Sequence, residues 1–271
     1  MFQAVLILNI PKGIINSLLK IRNIITMNIG TSILYLEKTE STMDDCRDLG
    51  LAGKKEVTIV TTDYQGTGRG RFNRKWISDP SENLQLSILM RPTIDHLPYL
   101  SMASSLAISD TVESVTGHRG EIKWPNDVEL NRKKIAGILI ETDMSTTKVN
   151  FAIIGVGLNV NLDPLKHPSI SSTSTSLRDI TKRNISRAVT LTIFIKHLQK
   201  YYTLIQKDIS ITQQWISRVT TLGKKVRLNV VGSHSEINGL AESINEDGSL
   251  NIRLPNKELL IANAGEVTFT N

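Results

Sequence analysis

The sequence predicts an α+β fold, in which a larger region of strands and helices precedes a small all-β region. Two observations lead to this prediction. Up to about residue 220, short apolar or alternating segments typical of strands are interspersed with segments of helical periodicity. After Leu222 only short alternating runs remain, and turn residues such as those at 246–248 separate them. We therefore assign residues 31–220 to a first domain, 221–271 to a second, and 1–30 to an N-terminal extension.

Seven strands are expected in the first domain, each short and rich in apolar, β-branched or alternating residues. They are Ile33–Leu36, Val57–Thr61, Leu84–Met90, Glu121–Trp124, Val128–Leu130, Ile135–Thr142 and Val149–Val156. A hairpin is expected around Asn131-Arg132, and residues 169–176 form a polar loop. The second domain adds Val226–Val230, Ile237–Ile244, Leu250–Leu254, Leu259–Ile261 and Val267–Phe269, and five short strands of this kind are typical of a small β-barrel.

Three helices are expected. The first follows Ser41 or Thr42, either of which could cap it, because two aspartates then occupy its first turn. The second opens at Pro98 and stops near Gly117. The third has apolar residues at helical spacing from 191 to 205, with Ser186 as its cap.

The composition is ordinary for a globular protein, with a net charge of +6 and no block of five or more lysines and arginines. Cys46 is the single cysteine, which excludes an internal disulfide and a cysteine-rich zinc site and fits a reducing compartment. No apolar run reaches the ~20 residues that span a bilayer, so no membrane partner is predicted. The first 26 residues are basic and allow three interpretations: a transit peptide, a surface helix, or an extension before a start at Met27.

Residues 65–76 read Q-G-T-G-R-G-R-F-N-R-K-W and predict a loop that binds an anion. Its three glycines allow backbone N–H groups to approach a ligand closely, and its arginines present donors that suit phosphate or carboxylate. We expect this arginine loop to be mobile until a ligand closes it. An exposed flexible loop and an RNA contact are the alternatives.

Three further motifs place polar or small residues at strand ends. K-W-P-N-D at 123–127 leaves Asn126 and Asp127 at a strand tip, although a simple turn explains it equally well. R-K-K-I-A-G at 132–137 puts Lys134 at the start of an apolar strand, and a solvated charge run is its alternative. G-V-G-L-N at 155–159 makes room for a ligand or for a β-bulge, and it lacks the third glycine and the helix of a dinucleotide site.

The order of these motifs resembles that of the biotin–protein ligases. The matching stretches are S-T-M at 41–43, the arginine loop, K-W-P-N-D, K-I-A-G-I-L-I-E at 134–141 and G-V-G-L-N-V at 155–160. The resemblance runs from about residue 33 to the C-terminus. It implies a mixed-sheet catalytic domain of the biotin/lipoate ligase type with a C-terminal SH3-like β-barrel. It also implies formation of biotinyl-5′-AMP from biotin and ATP with Mg²⁺, and transfer of biotin to one lysine of a biotin carboxyl carrier domain, as in acetyl-CoA carboxylase.

The resemblance also implies roles for particular residues. Those expected to bind biotin are Ser41, Thr42, Met43, Gln65, Arg69, Gly70, Arg71, Lys134, Gly137, Gly155 and Gly157. Those expected to bind ATP are Arg71, Arg74, Trp76, Asn126 and Lys134. The catalytic residues would be Lys134, Arg71 and Asp127, with Lys123 also flanking the reaction centre. The three glycines would let the bicyclic ring of biotin lie against the backbone, and no protein metal ligand is expected because Mg²⁺ would travel on the nucleotide phosphates.

The implied chemistry needs positive charge rather than a nucleophilic side chain. A carboxylate that attacks a phosphate is repelled by like charge, and Arg71 and Lys134 would offset this repulsion. The acceptor lysine must then lose a proton, because at a pKa of ~10.4 few such amines are neutral at pH 7. Asp127 is the candidate for orienting or deprotonating it.

Two other functions compete with this one. A lipoate–protein ligase uses the same type of chemistry, but K-W-P-N-D and the arginine loop argue against it. A non-enzymatic nucleic-acid binder would interleave aromatic residues with basic ones, yet aromatics are only 5% of the chain. We predict no DNA-binding role, because no helix-turn-helix pattern precedes the matching region, and we expect a cytoplasmic enzyme. The sequence leaves open whether it forms a homodimer.

Overall fold

The computed structural model describes residues 32–229 and 236–270. The predictions for residues 1–30, including a start at Met27, lie outside these ranges. The first region is built on a seven-stranded mixed sheet with the order β1-β2-β3-β7-β6-β5-β4. Its strands are β1 (Ser32–Thr39), β2 (Thr58–Gln65), β3 (Leu84–Met90), β4 (Glu121–Lys123), β5 (Asp127–Leu130), β6 (Lys133–Met144) and β7 (Val149–Leu158). Only β1 and β2 pair in parallel; the other neighbours are antiparallel. The prediction of an α+β fold with a mixed sheet is confirmed.

Five helices accompany the sheet in the described ranges: α1 (Thr42–Leu51), α2 (Tyr99–Thr116), α3 (Leu177–Thr181), α4 (Arg187–Ile205) and α5 (Thr212–Ile216). The sequence predicted α1, α2 and α4 but not the two five-residue helices, which are too short to show a period. Gly117 ends α2 in the left-handed conformation, and the Ser186 hydroxyl accepts a hydrogen bond from Val189 N–H and so caps α4. Ser41 occupies the N-cap of α1, but its side chain makes no capping bond.

Alternate residues of each strand divide the core between the two faces of the sheet. On one face, α2 and α4 pack against even-numbered residues of β3 and β7, such as Leu86 and Ile154. On the other face, Met43 and Cys46 of α1 pack against odd-numbered residues, such as Ile153. Because α1 is only ten residues long, it leaves the Gln65 end of β2 and the Leu158 end of β7 uncovered on its side. The site described below lies there.

The second region is a five-stranded antiparallel sheet with the order β11-β10-β9-β8-β12. Its strands are β8 (Lys225–Asn229), β9 (Glu236–Ile244), β10 (Leu250–Arg253), β11 (Leu259–Ala262) and β12 (Glu266–Phe269). Its buried residues, such as Val226 and Leu250, join the same apolar core as α2 and α4. The five predicted strands are confirmed, whereas the closed SH3-like barrel and the domain boundary near residue 220 stay predictions. No helix of the described ranges is long and apolar enough to cross a membrane.

Candidate active site

A cavity of about 230 Å³ opens on the α1 face of the mixed sheet. All the residues to which the resemblance assigns a role lie around it: Ser41, Thr42, Met43, Gln65, Arg69, Gly70, Arg71, Arg74, Trp76, Lys123, Asn126, Asp127, Lys134, Gly137, Gly155 and Gly157. They come from α1, β2, the arginine loop, β4 to β7 and the turn between β4 and β5. The fold therefore brings five separate motifs to one place, while the role of each residue stays a prediction.

The arginine loop is a small hairpin rather than an open coil. Gly70 N–H donates to the Arg74 carbonyl at 2.7 Å, and Trp76 N–H donates to the Gly68 carbonyl at 2.8 Å. The guanidinium of Arg69 binds Asp44 of α1 at 2.6 Å and Glu141 of β6 at 3.2 Å, and it also donates to the Ser41 hydroxyl at 3.0 Å. The bond from Arg69 lowers the pKa of Asp44. Arg69 thus ties the loop to α1 and β6, and the predicted mobility of the loop is untested.

Among the described residues, no carboxylate directly neutralises the positive charge of Arg71. Its guanidinium donates to the Asn126 side-chain oxygen at 3.1 Å and to the Gly265 carbonyl at 3.0 Å. Within residues 32–229 and 236–270 no carboxylate lies at ion-pair distance from it. Burial lowers the pKa of Arg71, and the more distant charges of Asp127 and Glu266 offset this only in part. A half-buried cation of this kind gains from an incoming anion.

The C-terminal sheet closes one side of the cavity. Glu266 at the start of β12 forms a bidentate ion pair with Arg74, in which Arg74 Nη2 lies 2.5 Å from Glu266 Oε2. Glu266 and Val267 line the cavity, and Gly265 accepts the bond from Arg71. Sequence reasoning missed this contribution, because no motif marks the segment and it lies 192 residues from Arg74 in the chain.

Lys134 is paired with a second predicted catalytic residue. Its ammonium lies 2.7 Å from Asp127 Oδ1, and it is 5.8 Å from the centroid of the Trp76 ring. The backbone of Lys134 is held by the polar loop at 169–176, since its N–H donates to the Thr173 carbonyl and its carbonyl accepts from Thr175. This loop therefore supports the lysine, a role that its low-complexity sequence did not indicate.

The three glycines on the cavity floor are covered by side chains of the protein itself. A Cβ added at Gly157 would lie 2.4 Å from the Trp76 ring, and one added at Gly155 would lie 2.5 Å from the Met43 sulfur. A Cβ at Gly137 would lie 3.2 Å from both Trp76 and Lys134. The close approach predicted at these positions is made in this structure by Trp76 and Met43, and contact with a biotin ring stays a prediction.

Uncharged hydrogen-bonding groups line the end of the cavity next to α1. Gln65 Oε1 accepts from Thr42 N–H at 2.9 Å and from the Thr42 hydroxyl at 3.1 Å. The same hydroxyl lies 2.8 Å from the hydroxyl of Ser87. Ser87 was not singled out from the sequence, although its position in an alternating strand, opposite Gly155, could have indicated it. The cavity thus has a cationic region near Arg71 and Lys134 and an uncharged polar end near Thr42, where the neighbouring Arg69 is neutralised by Asp44 and Glu141.

The described ranges show neither an accessible thiol nor a metal cluster beside these groups. Cys46 is buried, and burial raises the pKa of its thiol to about 12. In the part of the chain that the structure describes, no three histidine, cysteine, aspartate or glutamate residues are grouped to hold a metal ion. The charged and polar groups that line the cavity, such as Arg71, Lys134 and Gln65, can stabilise charge and form hydrogen bonds.

Comparison with known proteins points to one enzyme family. Residues 35–159 match the profile of the Biotin/lipoate A/B protein ligase family. The chain is 30% identical over 255 residues to the biotin–[acetyl-CoA-carboxylase] ligase of Paracoccus denitrificans, which covers 86% of this chain and 99% of that relative. It is also 30% identical over 227 residues to the bifunctional ligase/repressor BirA of Bacillus subtilis, and this match covers 82% of this chain and 69% of that relative.

Solved structures are similar as well. The biotin protein ligase from Aquifex aeolicus, determined in complex with biotin and ATP, superposes with a TM-score of 0.73 at 26% identity. This similarity covers 88% of the present chain and 98% of the other.

Proposed function

The chain belongs to the Biotin/lipoate A/B protein ligase family, and from this premise we propose that it is a biotin–protein ligase. It joins biotin and ATP to form biotinyl-5′-AMP and pyrophosphate. It then transfers the biotinyl group to a lysine of a carrier protein and releases AMP. The biotin ligases among its relatives and structural neighbours support this choice over lipoate.

The observation that carries the proposal is the convergence of Arg71 and Lys134 on one cavity that also has a neutral polar end. Biotin has a carboxylate at one end and an uncharged ureido ring at the other. We assign the carboxylate to the cationic region and the ring to the end formed by Thr42 and Gln65. Met43 and Trp76 supply the apolar surface between them.

In the first step a biotin carboxylate oxygen attacks the α-phosphorus of ATP. A new O–P bond forms, the bond to the β-phosphate oxygen breaks, and pyrophosphate leaves with the electron pair. Negative charge concentrates on the phosphoryl oxygens in the transition state. Arg71 and Lys134 are assigned to stabilise it, and the absence of a carboxylate partner beside Arg71 within the described ranges leaves that guanidinium available.

In the second step the neutral amine of the carrier lysine attacks the acyl carbon, and AMP leaves. The amine must first give up a proton. We assign Asp127 to orient or deprotonate it, and in this structure Asp127 is already bound to Lys134 at 2.7 Å. Entry of the substrate carboxylate next to Lys134 would compete for that ion pair and so release Asp127 for the second step.

We place Mg²⁺ on the phosphates of ATP, where it would neutralise charge on the leaving group. The carboxylates that line the cavity do not fit as its ligands, because Asp127 is paired with Lys134 and Glu266 with Arg74. Our proposal further includes a carboxyl carrier partner, a cytoplasmic location and no DNA binding.

The test is transfer of biotin to a purified carrier domain in the presence of ATP, followed by mass spectrometry of the intact carrier. We expect one biotinyl group per carrier, on its lysine, and none without ATP. Lipoate should not replace biotin at equal concentration. An Arg71→Ala variant should lose activity, whereas Arg119→Ala, which removes an exposed arginine paired with Glu113, should not. Modification by lipoate instead of biotin, or no modification, would overturn the proposal.

A further inference from the structure

Two side-chain amides, Gln65 in the cavity lining and Gln85 beneath it, form a chain of hydrogen bonds whose direction is fixed by the backbone. Thr42 N–H can only donate, so the atom of Gln65 that it contacts at 2.9 Å must be the oxygen. The nitrogen of Gln65 then faces Gln85 at 2.9 Å, and the contacted atom of Gln85 must also be an oxygen. The amide nitrogen of Gln85 is consequently turned away from Gln65.

This amide nitrogen is buried and has no acceptor. Gln85 is only 1% exposed, and no group in the described ranges accepts a hydrogen bond from its Nε2. The same holds for the indole N–H of Trp76. Leaving a buried donor unpaired is unfavourable, so two such donors in one place indicate that an acceptor belongs there.

Both donors belong to residues that adjoin Gly157. Gln85 is the register partner of Gly157 in the antiparallel pair of β3 and β7. The Gln85 side chain therefore lies on the same face of the sheet as a side chain at position 157 would, roughly 5 Å from it. The Trp76 ring lies directly over Gly157. Ser87, two residues further along β3 on this face, lines the cavity together with Gly157 and Trp76. Gln85 itself lies just beneath this lining, beside Gln65, and the Trp76 ring covers the position next to it, so a ligand that displaces this ring reaches its unpaired donor.

We propose that Gln85 is a further substrate-recognition residue, which fixes the amide of Gln65 and donates its own N–H to the ureido carbonyl oxygen of biotin. The inference rests on the proposed function. Once the carboxylate is assigned to Arg71 and Lys134, the ureido oxygen is the only other oxygen that biotin has. A neutral donor suits a neutral acceptor, whereas a charged partner would lose solvation without compensation.

The test exchanges the donor for an acceptor without disturbing Gln65. In Gln85→Glu the carboxylate still accepts the bond from Gln65 Nε2, but the N–H is gone. We expect the KM for biotin in adenylate formation to rise about tenfold, the value of one neutral hydrogen bond, while the KM for ATP stays unchanged. Gln213→Glu, at an exposed glutamine of α5, is the matched control and should leave both constants unchanged.

A substrate analogue gives a second measurement. In 2-iminobiotin a protonated guanidine replaces the ureido group, so that a donor stands where biotin has its carbonyl oxygen. The wild type should discriminate strongly against this analogue. Gln85→Glu should reduce the ratio of kcat/KM for biotin to that for 2-iminobiotin at least tenfold, because its carboxylate accepts from the guanidinium.

The outcomes separate the inference from the function on which it rests. If the wild type forms no adenylate from biotin, the proposed function fails. If the wild type is active but Gln85→Glu keeps its KM for biotin and its discrimination, the inference is wrong and the donor is satisfied by water. Should Gln85→Glu not fold, Gln85→Met removes the donor without a charge; a folded Gln85→Met with unchanged KM for biotin would equally overturn the inference.

Discussion

Replacing Gly157 with alanine tests the arrangement at the cavity floor, because the structure specifies what the added methyl group would meet. The new Cβ would lie 2.4, 2.5 and 2.9 Å from three atoms of the Trp76 indole. Carbon atoms settle at about 3.5–4.0 Å from one another, so the ring must retreat by about 1 Å. Gly157 is in an extended strand, so the backbone itself accepts alanine without strain.

We expect Gly157→Ala to lower the free energy of unfolding by about 1–3 kcal/mol, the usual consequence of overpacking. Gly137→Ala is the matched control on the neighbouring strand. Its Cβ would lie 3.2 Å from the same ring and from the Lys134 side chain, so a shift of a few tenths of an ångström relieves the contact. Its effect should stay below about 1 kcal/mol.

Urea unfolding and tryptophan fluorescence measure the two effects. Gly157→Ala should move the emission of Trp76 towards that of an exposed indole, since the added methyl group displaces its ring. The shift can be assigned to Trp76 because Trp124 and Trp215 are each only 2% exposed. Since Trp76 is assigned to hold ATP, the KM for ATP should rise as well. An unchanged emission with unchanged stability, or an equally large effect of Gly137→Ala, would show that the ring does not lie on Gly157.

Three further predictions concern charge. Arg71→Ala should reduce kcat/KM for biotin-dependent pyrophosphate exchange by roughly 10²–10³, as expected for loss of a transition-state donor, and a loss below tenfold would contradict its role. Asp127→Asn should slow transfer to the carrier more than adenylate formation in single-turnover assays, and equal losses would remove Asp127 from the second step. Asp110 is 9% exposed and binds Arg218 at 2.6 Å, so Asp110→Asn should lower the free energy of unfolding by about 3–5 kcal/mol at pH 7 in urea titrations. Burial alone would raise the pKa of Asp110, but hydrogen bonds from Tyr201 and Arg218 outweigh it and lower that pKa. The stabilisation from ionised Asp110 is therefore complete at pH values above the pKa of ~3.9 that an aspartate has in the unfolded chain. It disappears as the pH falls through the lower pKa of Asp110 in the folded protein. In urea titrations between about pH 5 and pH 2, the wild type should lose this stabilisation and Asp110→Asn should not.

Local patterns in the sequence were enough to predict the strands of both sheets and the three longer helices. Alternation along Leu84–Met90 matches β3 residue for residue, and Gly117 ends α2 as its conformational freedom suggests. The short helices α3 and α5 were not predicted, because five residues do not complete two turns and so show no helical period. The candidate site was predicted from the order of its motifs, through their resemblance to those of the biotin–protein ligases, whereas no single motif was decisive.

The sequence by itself determined the fold class and the chemical character of the cavity, because periodicity and residue type are local properties. The tertiary structure alone decided which partner each charged group has. Glu266 reaches Arg74 and Gly265 reaches Arg71 across more than 190 residues of chain. Trp76 lies on Gly157, and Gln85 faces Gln65, because strand register and packing bring them together. Such contacts depend on how distant segments dock, and no window of neighbouring residues contains that information.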